Sequence, residues 1–143
     1  CGRDYMILEQ FYQILVKKNK NYKEHITLIN EPLLPCNIKR VIGSLDMIVT
    51  GRVHASVAAT SQCIPTVYME YDRRVIYSDK MTGFSAQLGM EEFVCEPQNL
   101  KELKEKVTEC FNHLDSVKAR LENIIPIIKE EAKDIFEVIK EVK

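Results

Sequence analysis

Arg52 and His54, within the run Thr50-Gly51-Arg52-Val53-His54-Ala55, are the residues whose types and spacing could do chemistry here. A guanidinium presents a planar fork of donors that grips a carboxylate or phosphate through two parallel hydrogen bonds. An imidazole titrates near neutrality, so it can hold a phosphate or deliver a proton to it. The neighbouring residues say where both would stand. Met47, Ile48 and Val49 form a short apolar run, the pattern of a buried parallel strand, which would end near Gly51. Residues 53–63 are small and apolar without glycine or proline, suiting a helix packed closely on a sheet, and Pro65 opens a second β-rich run at 66–71. The unit reads as strand, tight turn, helix, strand. Arg52 and His54 then fall at the carboxyl end of a strand, where open α/β sheets bind ligands and where the N–H groups of the helix start face the same ligand. Gly51 permits a positive φ or a close backbone approach at that turn. The implied ligand is an anion. Each residue also has a plain structural role open to it: Arg52 as a surface ion-pair partner, His54 as a helix cap or in a satisfied polar niche.

The elements that must position this turn alternate in the manner of an α/β protein. Residues 5–17 place Met6, Leu8, Phe11, Ile14 and Leu15 mostly on one helical face, with Asp4 as a candidate N-cap. The polar run 17–25 reads as a solvated connection and 26–29 as a strand, followed by a loop held by Pro32 and Pro35. Residues 37–45 predict a short helix turning Ile38, Val41, Ile42 and Leu45 inward, leading to the strand that starts at Asp46. A charged loop spans 72–80, a helix 82–88 ends at Gly89, and a small strand occupies 93–95. From 99 to 143 the chain is helical, with one stripe of Leu100, Leu103, Val107, Cys110, Phe111 and Leu114. A second stripe runs from Val117 to Val142. Pro126 interrupts it and predicts a kink or a fresh helix start, since proline has no N–H and crowds the preceding turn.

Bulk properties bound the function class. The 143 residues, 45% hydrophobic, suffice for a domain with a real core. A net charge of −1 gives no electrostatic footprint for nucleic acid, and no run of 18 apolar residues spans a bilayer. Five cysteines (Cys1, Cys36, Cys63, Cys95, Cys110) form no CxxC pair, and Cys63 and Cys110 fall on apolar helix faces. That pattern suits free buried thiols in a reducing cytoplasm, rather than disulfides or a zinc site. No signal or transit peptide is visible. The chain does not open with methionine, and Cys1 reads as a cut end.

Several spaced elements in order, Asp46, Arg52-x-His54-Ala55, Pro65, Tyr71, Lys80-x-x-Gly83-Phe84 and Leu88-Gly89, resemble the C-terminal half of the polysaccharide pyruvyl transferase family over residues 36–96. The resemblance implies a Rossmann-like parallel sheet flanked by helices, half of a glycosyltransferase-B-like architecture, with a long C-terminal helical tail. It divides the chain into a partial Rossmann-like donor-binding domain, 1–98, and helices at 99–143 that pack on it or on a missing N-terminal domain. The implied activity is pyruvyl transfer from phosphoenolpyruvate to sugar hydroxyls of a cell-surface polysaccharide. No metal and no cofactor is implied beyond phosphoenolpyruvate as donor substrate. The implied partners are that donor and a saccharide acceptor, with a homo-oligomer possible and a cytoplasmic location.

On this reading Arg52 clamps the anion and His54 binds the phosphate or acts as the acid that helps it leave. Gly51 lines the substrate, and Lys80 contacts the donor as a point charge. Lys80 reads equally as a surface lysine, and Arg73 and Arg74 read first as solvated loop residues. Tyr71 closes a strand and reads as packing. Ser56, Thr60 and Ser61 have no partners at triad spacing, and Glu70 and Asp72 form no paired-carboxylate site. Two other readings compete: a nucleotide-sugar glycosyltransferase of the same fold, and a non-catalytic interaction domain whose C-terminal helices bind a partner. The joint Arg52-x-His54-Ala55 and Lys80-x-x-Gly83-Phe84 pattern favours the first reading, and no late acidic residue of the kind that grips a nucleotide ribose is identifiable.

Overall fold

The structure, a computed structural model, describes residues 2–71 and 80–141, with side chains over 5–71 and 80–134. The chain forms two compact units, Cys1–Leu34 and Pro35–Lys143. In the first, helix α1 spans Gly2–Lys18. It begins before Asp4, which therefore lies within its first turn and is not the cap. Its apolar side chains Met6, Leu8, Phe11 and Ile14 are exposed. The expected solvated connection contains a 3-10 turn, Lys20–Glu24, because the Asn19 side chain accepts the Asn21 N–H at 3.0 Å and caps it. The strand expected at 26–29 does not form. Those residues make no ladder among the described strands, and β-propensity alone cannot satisfy a strand's backbone groups.

The second unit holds a three-stranded parallel sheet in the order β1 (Ile48–Thr50), β2 (Thr66–Met69), β3 (Val94–Cys95). Ile48 pairs with Thr66, and Tyr68 with Val94, so β2 is bonded on both sides. Its Thr66, Val67 and Tyr68 are all buried, as a central parallel strand requires. β1 lies at one edge of the described sheet instead of being fully buried, and Val49 is 40% exposed. Helix α2, Pro35–Gly43, precedes β1 with Pro35 as its first residue, where the missing N–H costs nothing. Of the four side chains expected to turn inward, Ile42 is buried and Val41 half-buried, while Ile38 and Leu45 are exposed. Helix α3, Val53–Thr60, crosses from β1 to β2. A Cβ on Gly43 would meet the end of the Gln62 side chain at 2.5 Å, which marks the close approach of α2 to the end of α3. Ile42, Ala59 and Ile64 form the small apolar cluster there.

Cys63 does not lie on a helix face. It follows α3 with φ +59°, and the Ile64 N–H bonds the Ala59 carbonyl while the Cys63 N–H bonds that of Thr60. This is a Schellman cap with a cysteine in the left-handed position usually held by glycine. The same geometry ends helix α4, Lys80–Gln87, at Gly89 (φ +62°), where the Met90 N–H reaches Ser85 and the Gly89 N–H reaches Ala86. A 3-10 turn, Glu91–Phe93, then leads into β3. Phe93 thus belongs to the turn and not to the expected strand.

Helix α5, Leu100–Asn112, starts at Asn99, whose side chain accepts the Glu102 N–H at 3.2 Å. Helix α6, Leu114–Glu141, runs on through Pro126. No fresh helix starts at that proline; the boundary between the two helices lies at His113, between the two apolar stripes. Proline forfeits one bond to the preceding turn, and the buried neighbours Leu121 and Ile125 hold the helix on the core across the gap. Val117, Leu121, Ile125 and Cys110 join Val67, Tyr68, Met81, Leu88, Met90 and Phe93 in the main core. Leu100 and Phe111 of the first stripe stay exposed. The side chains of Ile135, Ile139 and Val142 lie outside the described residues.

Burial pushes the Cys110 thiol up to about 11, so it stays protonated. Burial likewise raises the Tyr68 phenol well above its ordinary range, only partly offset by the Thr66 hydroxyl. Arg120 of α6 closes the unit from outside: its guanidinium bonds the Glu92 carboxylate at 2.5 Å and also the Gly89 carbonyl left open by the cap. Partial burial disfavours the Glu92 anion. The hydrogen bond and charge of Arg120, with help from Lys106, outweigh that and hold the carboxyl below its ordinary 4.5. A depressed carboxylate contributes stability that is fully present above its unfolded value and is lost as pH falls through its lower folded value. Urea unfolding from about pH 5 to about pH 3 is expected to show a shallower loss of stability in Glu92→Gln than in the parent chain. Parallel acid limbs would remove Glu92 from the account.

Candidate functional site

The turn from β1 into α3 is built from its own residues. Thr50 is buried, and its Oγ1 accepts the Arg52 N–H at 3.1 Å, which bends the chain out of the sheet. Arg52 sits at the N-cap of α3 in extended conformation (φ −109°, ψ 117°), and its carbonyl receives the N–H groups of Ala55 and Ser56 at 3.0 and 3.1 Å. Its side chain does not cap the helix. Arg52 and His54 are both exposed, one at the N-cap and the other in the first turn. The small residues behind them are structural. Ser56 Oγ donates to the Val53 carbonyl at 2.7 Å and Thr60 Oγ1 to the Ser56 carbonyl at 2.9 Å, so these hydroxyls are bonded within the helix.

Gly51 is glycine because of a neighbour. It lies outside the positive-φ residues, yet a Cβ there would collide with the Tyr71 ring. Tyr71 lies two residues past the end of β2 and is 54% exposed. The aromatic expected to be packing therefore does pack, edge-on against the backbone of the β1–α3 turn. Its exposed ring stands at the carboxyl edge, against the residue that precedes Arg52.

Glu70 was not anticipated from the sequence. It is 4% exposed, and its Oε2 accepts the Met81 N–H at 2.8 Å and the Thr82 N–H at 3.0 Å, with the Thr82 hydroxyl at 3.5 Å. The carboxylate thereby caps α4 from the end of β2. Capping rules look for a side chain immediately before the helix, and this one lies eleven residues upstream of Met81. Lys80, the first residue of α4, is exposed and is brought to the carboxyl edge by that bond. Asp72, Arg73 and Arg74 lie outside the described residues.

The opposite, amino edge carries Asp46, which with Leu45, Pro65 and Asp115 lines a cavity of about 160 Å³. A smaller, apolar one of about 120 Å³ lies between α3, α4 and α6, lined by residues such as Val57, Phe84 and Ile128. A groove of about 590 Å³ runs along α5 alone, past Lys101, Glu105 and His113. A single helix face gives no convergent polar groups, and the strand-end cluster is the better site by its chemistry. Among the described residues no group of three or more His, Cys, Asp or Glu side chains is placed to hold a metal ion. No described helix is long and apolar enough to cross a membrane.

Residues 3–73 match the family model for polysaccharide pyruvyl transferase. The match takes in Gly51, Arg52, His54 and Tyr71, and it ends before Lys80. No curated protein and no solved structure matches the chain. The packing of Tyr71 on Gly51 yields a double-mutant expectation. Gly51→Ala is expected to lower stability, whereas in a Tyr71→Ala background the same change is expected to be nearly neutral, because the collision partner is gone. Thermal unfolding of the four proteins measures it; equal costs in both backgrounds would show that the ring does not rest on Gly51.

Proposed function

We propose that this chain, whose residues 3–73 belong to the polysaccharide pyruvyl transferase family, supplies the donor side of a pyruvyl transfer from phosphoenolpyruvate to sugar hydroxyls of a polysaccharide. The observation that carries the reading is the position of Gly51, Arg52 and His54 within the matched segment, at the carboxyl end of a parallel strand and the start of α3. Phosphoenolpyruvate carries a carboxylate and a phosphate, so it calls for compact cationic contacts. Arg52 offers the bidentate fork, His54 a proton-bearing ring, and α3 its first N–H groups. Lys80 adds a point charge from α4. The setting we propose is a glycosyltransferase-B-like cleft, with the saccharide acceptor presented from the facing side.

The chemistry is balanced by the two sugar hydroxyls. The methylene carbon of the donor is protonated and positive charge develops at the adjacent carbon. Two sugar oxygens attack that carbon, and its bond to the phosphate oxygen breaks. One hydroxyl proton is accounted for in the new methyl group and the other leaves with inorganic phosphate. Arg52 holds the anion against the charge change. His54 bound to the phosphate stabilises the leaving group and protonates it as it departs.

Thermal shift with phosphoenolpyruvate and with a nucleotide sugar tests this directly, since a ligand bound only by the folded state raises the unfolding temperature. Phosphoenolpyruvate is expected to stabilise the chain, and Arg52→Ala to remove about 1.5–3 kcal/mol of its binding, the range for hydrogen bonds to charged groups. His54→Ala is expected to abolish most turnover in the complete enzyme. Stabilisation by the nucleotide sugar alone would turn the reading toward glycosyl transfer.

A further inference from the structure

The carboxyl edge holds one buried charged side chain that the proposed chemistry does not use, Glu70. It is 4% exposed, and its Oε2 accepts bonds from the start of α4: the Met81 and Thr82 N–H groups and the Thr82 hydroxyl. Its own N–H is bonded to the Cys95 carbonyl at 3.0 Å, so its backbone is fixed by the sheet. The next residue, Tyr71, rests on Gly51. A single dipeptide at the end of β2 thus touches both the β1–α3 turn, which carries Arg52 and His54, and the first turn of α4, which carries Lys80.

Burial of a carboxylate is costly unless it is hydrogen-bonded, and here the N–H groups of a helix start, which have no intrahelical partner, bond Oε2. The same bond sets the position of α4. Met81, whose N–H lies 2.8 Å from Glu70, is adjacent to Lys80, so the Lys80 backbone can shift little along the sheet edge while Glu70 holds. The anionic Glu70 also occupies the N-terminal pole of α4, which leaves the lysine as that helix's contribution to an anion site.

We propose that Glu70 is a positioning residue for the donor site: it does not touch substrate, but fixes Lys80 at the carboxyl edge beside Arg52 and His54 by capping α4 from the end of β2. This rests on the reading of the edge as a phosphoenolpyruvate site. Geometry and charge make opposite demands on Glu70, which makes the role testable. A pure charge effect predicts that removing this anion tightens binding of an anionic ligand. Positioning predicts that reach matters and charge does not.

The test is titration calorimetry of phosphoenolpyruvate with the full chain, its Glu70→Gln, Glu70→Asp and Lys80→Ala variants, and the Glu70→Asp/Lys80→Ala double variant, with circular dichroism on each to establish folding. Glu70→Gln keeps the reach and an acceptor oxygen, so near-parental affinity is expected. Glu70→Asp keeps the charge but is shorter by one C–C bond, roughly 1.5 Å, and cannot reach Met81 and Thr82 unaided. It is expected to lose about tenfold in affinity, as Lys80→Ala does, and the double variant to bind no more weakly than Lys80→Ala alone. Losses that multiply, parental affinity in Glu70→Asp, or tighter binding in Glu70→Gln each overturn the positioning role and leave the donor-site reading standing. Should Glu70→Asp fail to fold, weakened binding in folded Glu70→Gln would still refute the proposal. A parental chain that shows no heat with phosphoenolpyruvate while it binds a nucleotide sugar overturns the donor reading itself, and the positioning proposal with it.

Discussion

Parallel pairing around β2 is the constraint on which the second unit depends. Three parallel strands put all their carboxyl ends on one edge, so residues far apart in sequence, Gly51 after β1 and Glu70 and Tyr71 after β2, must meet there. The pairing also requires a crossover between each strand and the next, and α3 is the first of these. Its start coincides with the end of β1, which is why a two-residue turn suffices to carry Arg52 and His54 to the edge. Burial of β2 on both sides anchors this arrangement. α4 and α5 both pack on β2 and β3, and α3 packs on β1 and β2.

Strong local patterns were legible in the sequence. The apolar run before Thr50-Gly51, the small-residue helix after it and the strand after Pro65 appear where their composition placed them, within a few residues. Gly89 ends its helix for the conformational reason a glycine there suggests. What the sequence concealed depends on partners. Residues 26–29 have the composition of a strand but no ladder among the described strands. Pro126 looks like a fresh helix start because a local rule cannot see the buried face on which α6 continues past it. Cys63 reads as one more apolar helix residue, since nothing in a cysteine announces φ +59°. At the site, the types and spacing of Arg52 and His54 were visible and Tyr71 was legible as packing, whereas its partner Gly51 and the capping role of Glu70 were not, because each is defined by a contact made across the fold.

Long-range polar bonds finish what apolar packing begins. Glu70 ties α4 to the sheet at its start, and Arg120 ties α6 to the region just beyond its end, through the Gly89 carbonyl and Glu92. The two bonds act on opposite ends of the same short helix. An eight-residue helix has little stability of its own, so its placement rests on these end contacts and on the buried Met81 and Ser85 between them. A lysine in place of Arg120 would reach one acceptor as a point charge, but would lack the planar fork that serves two at once.

Arg52 and His54 stand exposed at the edge of a chain whose net charge is −1. At physiological ionic strength mobile ions damp the field of exposed charges over about 8 Å. An anion arriving from solution would feel little guidance until nearly in contact, so capture would proceed at the pace of ordinary diffusion and docking. Discrimination among anions would then rest on the fit of each group once seated. On the proposed reading, the strand-to-helix turn, held by Thr50 behind it and Tyr71 beside it, would matter more to selectivity than the number of charges it displays.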